Sequence, residues 1–163
     1  VVNSLLQNMD EYCQNGILIA ATNHHELLDR AIWRRFQTVI EMPKPELAEV
    51  ASMIKNMPEF IDVSQIKPGQ WKKVYDALLG LSYSDIKNIL NNMVKKLVLK
   101  DENKVKFTDI LVEAYLFKNH GNYTMEQMVQ YMIDHGVSQK QASLYFNVST
   151  RQIKNCLERS EKN

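Results

Sequence analysis

The sequence predicts a mainly helical protein that also contains the remnant of a parallel α/β core with two short strands. Two apolar runs near the N-terminus, residues 17–22 and 38–42, have the length and composition of strands buried on both faces of a parallel sheet. From Pro45 onward the apolar residues recur at the three- and four-residue spacing of helices. Close to the C-terminus, three helix-capping sequences follow one another, which predicts a compact trihelical unit.

The N-terminal segment is predicted to alternate helix and strand. Residues 1–14 place apolar side chains at helical spacing, and the first strand, 17–22, follows. That strand ends on Asn23, and the carboxyl ends of parallel strands are where such sheets place ligands. The second strand, 38–42, ends at Pro43, because a proline ring interrupts regular strand pairing.

Four helices are predicted in the middle of the chain, at residues 46–57, 70–79, 82–99 and 108–118. The clearest is the third, in which Ser82 and Asp85 form a capping box. Its apolar residues from Ile86 to Val98 follow the spacing of a buried helix face. Thr108 is expected to cap the fourth helix, and residues 119–122 are the predicted linker to the helices that follow.

The last three helices are predicted from the capping pairs Thr124 with Gln127, Ser138 with Gln141, and Ser149 with Gln152. The second and third of these helices have the pattern of a helix-turn-helix. Its first helix needs a small residue facing the second, as Ser143 is, and its turn needs a residue that tolerates a left-handed conformation, as Asn147 does. Val148, Ile153 and Leu157 bury the second helix in this pattern.

The remaining residues of the second helix are predicted to face outward. They are of the types that reach base edges and phosphates in a major groove: Thr150, Arg151, Gln152, Lys154 and Asn155. The segment resembles the helix-turn-helix of transposases, Fis and sigma factors, which implies duplex DNA as a partner. Such units also serve as protein-interaction modules, and the net charge of +1 argues neither for nor against nucleic acid.

The residues around the end of the first predicted strand indicate phosphoryl chemistry. Asn23 follows an Ala-Thr pair, and a side-chain amide there can orient a water molecule. Arg34 and Arg35 precede Phe36, and an arginine can neutralise the charge that develops on a transferring phosphoryl group. The stretch from Ile17 to Phe36 resembles the second region of homology of the AAA family of ring-forming ATPases.

That resemblance implies a sensor-1 role for Asn23 and an arginine-finger role for Arg34 and Arg35. The Arg-Arg-Phe form looks like that of spastin and katanin, in which both arginines approach the γ-phosphate bound by the neighbouring subunit. Either arginine can be the main finger on this evidence.

Residues 46–118 resemble the helical lid domain of the same family. Within them, residues 81–86 resemble the turn that packs near adenine, which implies that Ser84 contacts the nucleotide. The resemblance also implies ATP and Mg²⁺ as cofactors of the full-length protein, and neighbouring subunits of a homo-oligomeric ring, a hexamer, as its partners. The expected domains are the C-terminal part of the nucleotide-binding core (1–45), the lid (46–118) and the helix-turn-helix extension (119–163).

The sequence contains no phosphate-binding loop, because none of its five glycines is followed by Lys-Ser or Lys-Thr. No apolar run ends in Asp-Glu either, so the Walker A and Walker B motifs are both missing. The chain is therefore expected to be the C-terminal part of a longer ATPase. By itself it is expected to be inactive and to bind neither ATP nor Mg²⁺.

Composition gives the remaining expectations. Cys13 and Cys156 lack Cys-x-x-Cys spacing and are expected to be reduced thiols, and no metal site is predicted. No long apolar run is present, so a cytoplasmic location without membrane contact is expected.

Two other functions are compatible with the sequence. One is an ATP-dependent transcription regulator resembling the sigma-54 activators, which also join an Ala-Thr-Asn segment to a terminal helix-turn-helix. Residues 27–31 do not match the Phe-Arg-x-Asp-Leu pattern that those activators place after the asparagine. The other is a non-catalytic module whose trihelical unit binds a protein.

Overall fold

The computed structural model of this protein describes residues 7–9, 12 and 16–160. The chain divides into two compact units, residues 1–43 and residues 44–163. The helix predicted over residues 1–14 lies largely outside the described residues, although residues 7–9 and 12 are helical. The division of the second unit into a lid and an extension stays a prediction.

The first unit contains short helical segments. A 3-10 helix spans His25–Leu27 and α1 spans Arg30–Trp33. The two predicted strands are not confirmed: residues 17–22 and 38–42 have no regular secondary structure, and apolar side chains in both are exposed. A strand of a parallel sheet needs neighbours that hydrogen-bond to it, and the described residues provide none for either run.

The second unit is helical in its described residues, and each helix predicted after Pro45 is present. In chain order the helices are α2 (Leu47–Lys55), α3 (Pro68–Leu78), α4 (Tyr83–Leu99), α5 (Phe107–Lys118), α6 (Met125–Asp134), α7 (Gln139–Phe146) and α8 (Thr150–Ser160). A parallel bridge between Asp62 and Lys104 joins the loop after α2 to the loop before α5.

The longest helix of the second unit, α4, shows why the helices pack as they do. Ser82 and Asp85 form the predicted capping box, and the buried face includes Ile86 and Met93. The prediction is wrong for Val98, which is 54% exposed. At 100° per residue, Val98 lies about 140° around the helix from Met93, so it falls outside the buried face.

The start of α5 also differs from the prediction. The helix begins at Phe107, one residue before the expected cap, and Thr108 is buried instead. The backbone N–H of Lys106 donates to the Asp109 carboxylate at 2.8 Å. That carboxylate therefore satisfies a free N–H at the helix start, and Thr108 is available for packing.

All three predicted capping boxes are present, at the starts of α6, α7 and α8. In each, the cap hydroxyl accepts a hydrogen bond from the backbone N–H three residues on, and the glutamine side chain accepts one from the backbone N–H of the cap residue. The distances are 3.2 to 3.3 Å and 2.9 to 3.1 Å respectively, in the pairs Thr124–Gln127, Ser138–Gln141 and Ser149–Gln152.

The turn between α7 and α8 has the predicted left-handed residue. Asn147 adopts φ 52° and ψ 46°, and the N–H of Val148 donates to the Ser143 carbonyl at 3.0 Å. Ser143 is buried and Ile153 is completely buried. The turn therefore sets the direction of α8 against the helix before it.

We expect Asn147→Ala to lower the free energy of unfolding by about 1 kcal/mol, because alanine is disfavoured in the left-handed region. Asn147→Gly should leave it unchanged or raise it, since glycine adopts positive φ without steric cost. Urea unfolding followed by circular dichroism measures both. The control is Asn155→Ala on the exposed face of α8, which should not destabilise the chain; equal losses at the two positions contradict the expectation.

Candidate functional site

Asn23 is exposed and lies at a bend between the first apolar run and the 3-10 helix. The N–H of His24 donates to the Thr22 hydroxyl at 2.9 Å, which fixes the backbone on both sides of the asparagine. Both histidines of this loop approach the Glu26 carboxylate, His24 at 3.2 Å and His25 at 3.4 Å. Hydrogen bonds from the backbone N–H of Glu26 and from His24 hold the pKa of this carboxyl below its ordinary value.

The two arginines follow α1 and are held differently. The Asp29 carboxylate accepts from the N–H of Ala31 at 2.8 Å and so caps the start of the helix. Arg34 is exposed at the helix end, whereas Arg35 is half-buried. One guanidinium nitrogen of Arg35, Nη1, donates to the Ala31 carbonyl at 2.9 Å. Arg35 is thus anchored to the last turn of α1, and Arg34 projects into solvent.

Ser84 lies in the second unit, exposed in the first turn of α4. The residue before it, Tyr83, is bonded to α2: a hydrogen bond between its hydroxyl and the Glu49 carboxylate is the main reason that the pKa of Glu49 is lowered and the pKa of Tyr83 is raised. The two residues lie where α4 and α2 are in contact. Sequence reasoning missed this hydrogen bond, because no local pattern relates two residues so far apart along the chain.

The residues predicted to face DNA are all exposed on α8: Thr150, Arg151, Gln152, Lys154 and Asn155. Gln152 is engaged in the helix cap, where its Oε1 accepts from both the N–H and the hydroxyl of Ser149, at 2.9 and 3.0 Å. The same oxygen is therefore not free to read a base. The donors of Thr150, Arg151, Lys154 and Asn155, and the amide NH2 of Gln152, remain on this outward face.

Glu158 is the acidic member of this face. It is exposed and follows Lys154 by one helical turn, where the two side chains are neighbours. The next residue, Arg159, lies 3.8 Å from the Glu126 carboxylate of α6. The outward face of α8 is therefore only weakly basic.

Comparison with known proteins finds a family similarity in the N-terminal residues. Residues 1–44 match the model of the ATPase family associated with various cellular activities (AAA). This stretch is therefore similar to AAA ATPases. Asn23, Arg34 and Arg35 all lie within the match.

Three relatives extend this similarity beyond the AAA segment. An uncharacterized AAA family ATPase of Sinorhizobium fredii is 34% identical over 113 residues, covering 67% of this chain and 32% of that protein. A putative 26S proteasome regulatory subunit homolog of Methanothermobacter thermautotrophicus is 33% identical over 109 residues, covering 65% and 29%. The ATP-dependent zinc metalloprotease FtsH 1 of Methylacidiphilum infernorum is 31% identical over 120 residues, covering 68% and 18%.

The chain thus spans a third or less of the length of these AAA relatives. No solved structure matches it. Among the described residues, no helix has the length and apolar character needed to cross a bilayer.

Proposed function

We propose that this chain is part of an ATP-hydrolysing AAA ring ATPase, in which its N-terminal residues contribute to the hydrolytic site. The observation that supports this most directly is the family match over residues 1–44, which include Asn23, Arg34 and Arg35. ATP and Mg²⁺ are the nucleotide and metal of the intact protein in this proposal. Neighbouring copies in a ring are its partners.

Asn23 acts in this proposal as the residue that positions the attacking water. Its amide is exposed, and the Thr22–His24 hydrogen bond limits the backbone freedom on either side of it. A positioned amide can hold a water in line with the γ-phosphate and needs no change of charge during the reaction. The role is therefore one of orientation, not of proton transfer.

The arginine pair has two different roles in this proposal. A residue that acts on the nucleotide of a neighbouring subunit must project from its own surface, and Arg34 is the exposed member of the pair. Arg35 is bonded to the Ala31 carbonyl and holds the turn after α1 in place. We therefore assign the finger to Arg34 and a positioning role to Arg35.

The helices α2 to α5 form the lid of the same ATPase in this proposal. The alignment with the Sinorhizobium fredii protein covers 67% of this chain, about 109 of its 163 residues. Any continuous stretch of that length includes residues 55–109, and therefore all of α3 and α4. This similarity supports Ser84, at the start of α4, as a nucleotide contact.

ATP turnover by an intact protein that contains this chain tests the proposal. We expect turnover that depends on ring assembly, since the site is completed by the neighbouring subunit. A protein that assembles and binds ATP, but does not hydrolyse it, contradicts the assignment.

A second function is proposed for α6 to α8, because several of their features support a helix-turn-helix. The left-handed Asn147, the buried Ser143 and the buried Ile153 support that arrangement. The outward donors Arg151 and Lys154 suit phosphates and base edges. We propose that this unit binds duplex DNA through α8.

We expect Lys154→Ala to weaken DNA binding and to reduce the log–log slope of affinity against salt by about 1, because each phosphate contact releases counterions. Fluorescence anisotropy with a mixed-sequence duplex at several salt concentrations measures the slope. Lys87→Ala, which removes an exposed lysine from α4, is the matched control and should leave the slope unchanged. If the unaltered chain does not bind DNA at low salt, α8 is a protein-binding helix and the ATPase proposal is unaffected.

A further inference from the structure

The first of the three C-terminal helices, α6, is in direct contact with α5. The Tyr115 ring of α5 lies against the Tyr131 ring of α6, with 4.7 Å between centroids, and Tyr131 lies in turn 4.0 Å from the His135 ring. The Tyr131 hydroxyl is buried, and no hydrogen-bond partner for it lies among the described residues. Aromatic pairs at this spacing attract beyond the area that they bury.

A second contact joins α3 to the end of α6. Gly136 follows α6 with φ +78°, and a Cβ built on it would lie 1.8 Å from the ammonium nitrogen of Lys73. The Lys73 side chain therefore lies directly on the backbone at the C-terminus of α6. A cation there is stabilised by the partial negative charge of the helix end.

The side chain of Tyr145, on α7, lies within electrostatic range of α5. Burial, together with the carboxylates of Asp109 and Glu113 on α5, raises the pKa of Tyr145 to about 12. Glu113 is itself buried and pairs with Lys96 of α4. The Glu113 carboxylate thus connects α5 to α4.

The segment that leaves α5 toward α6 is hydrogen-bonded at its start and is not a loose tether. The N–H of Gly121 donates to the Leu116 carbonyl at 2.8 Å, and the N–H of His120 donates to the Phe117 carbonyl at 3.2 Å. These are the two bonds of a Schellman motif, which closes α5 and fixes the direction of the chain that leaves it. The predicted linker is a turn of defined geometry.

We propose that α6–α8 are permanently docked on α2–α5, so that residues 44–160 unfold and move as one body. The buried apolar residues of both parts form one continuous cluster, from Val50 in α2 to Cys156 in α8. Whatever α8 binds is then held at a fixed orientation to the preceding helices. If those helices are an AAA lid, which rests on the proposed function, lid movement displaces the bound partner as well.

Hydrogen exchange of the whole 163-residue chain tests this proposal without ATP or DNA. The most protected amides of α4 and α6 should exchange with the same protection factor, because one opening reaction exposes both. Ile153→Ala leaves a cavity in α8, which packs on α6 and α7, and should lower protection in both parts equally, by about 30-fold or more. The proposal is overturned if amides of α6 are less protected than those of α4 in the unaltered chain. It is also overturned if Ile153→Ala lowers protection only in α6–α8.

Two further variants keep the test decisive. Tyr131→Phe retains the ring but removes the buried hydroxyl, so protection should rise or stay equal in α4 and α6 together. Asn155→Ala changes an exposed position of α8 and should leave both parts unchanged. If Ile153→Ala prevents folding altogether, loss of α2–α5 as well supports docking, whereas persistence of α2–α5 alone overturns it. Docking and DNA binding are separate measurements, so either can fail without the other.

Discussion

We expect the variant Arg34→Ala/Arg35→Ala of an intact ring to hydrolyse ATP about a thousandfold more slowly than the unaltered protein. An arginine that approaches the γ-phosphate compensates charge in the transition state, and alanine cannot replace it. Steady-state ATPase assays on assembled rings measure the loss. Arg30→Ala, which removes an exposed arginine from the same short helix, is the control and should leave turnover close to normal.

The single variants distinguish the two arginines. Arg34→Ala should account for most of the loss, because its guanidinium is the exposed one. Arg35→Ala should cost less, since its hydrogen bond to the Ala31 carbonyl holds the turn and not the phosphate. A larger loss with Arg35→Ala than with Arg34→Ala contradicts this assignment of roles.

Mixed rings test whether the arginines act across the subunit interface. Subunits with Asn23→Ala keep their arginines, and subunits with the double arginine substitution keep Asn23. An intact hydrolytic site forms where the subunit with normal Asn23 receives the arginines of a neighbouring Asn23→Ala subunit. Mixing the two slow proteins should therefore restore turnover. No restoration in rings verified to be mixed means that the arginines act within their own subunit.

The helices of the second unit were predictable because their signals are local. Capping pairs such as Thr124–Gln127 lie within one turn, and the same is true of the left-handed turn at Asn147. The two strands were not confirmed because pairing is a property of a whole sheet, not of residues 17–22 or 38–42. The start of α5 is a local exception, because Asp109 and not Thr108 satisfies the free N–H there. The strands failed for the other reason, the need for a distant partner.

The candidate site shows the same limit. Sequence reasoning placed Arg34 and Arg35 together, but it gave no reason to treat them differently. The structure does so, through the exposure of Arg34 and the bond of Arg35 to the Ala31 carbonyl. It also assigned Gln152 to both a helix cap and a DNA contact, and the Oε1 atom is occupied by the cap. A pattern lists the groups that a residue offers, whereas the structure shows which of them are already used.

Asn23→Ala in the intact ring should lower the maximal rate of ATP hydrolysis by about a hundredfold while leaving nucleotide affinity nearly unchanged. In the proposed role the amide orients the attacking water and contributes little to holding the nucleotide, so the loss should fall on the rate and not on binding. Steady-state turnover and titration with a fluorescent ATP analogue separate the two quantities.

The neighbouring histidine gives the control for this variant. His24 is exposed and bonds to Glu26 in the same loop, so His24→Ala disturbs the loop without removing the amide. The effect is assigned to the amide itself if turnover stays close to normal with His24→Ala but falls about a hundredfold with Asn23→Ala. Loss of a positioning group alone costs about that much. Equal losses in the two variants show instead that the rate depends on the loop conformation, and normal turnover with Asn23→Ala removes the residue from the mechanism.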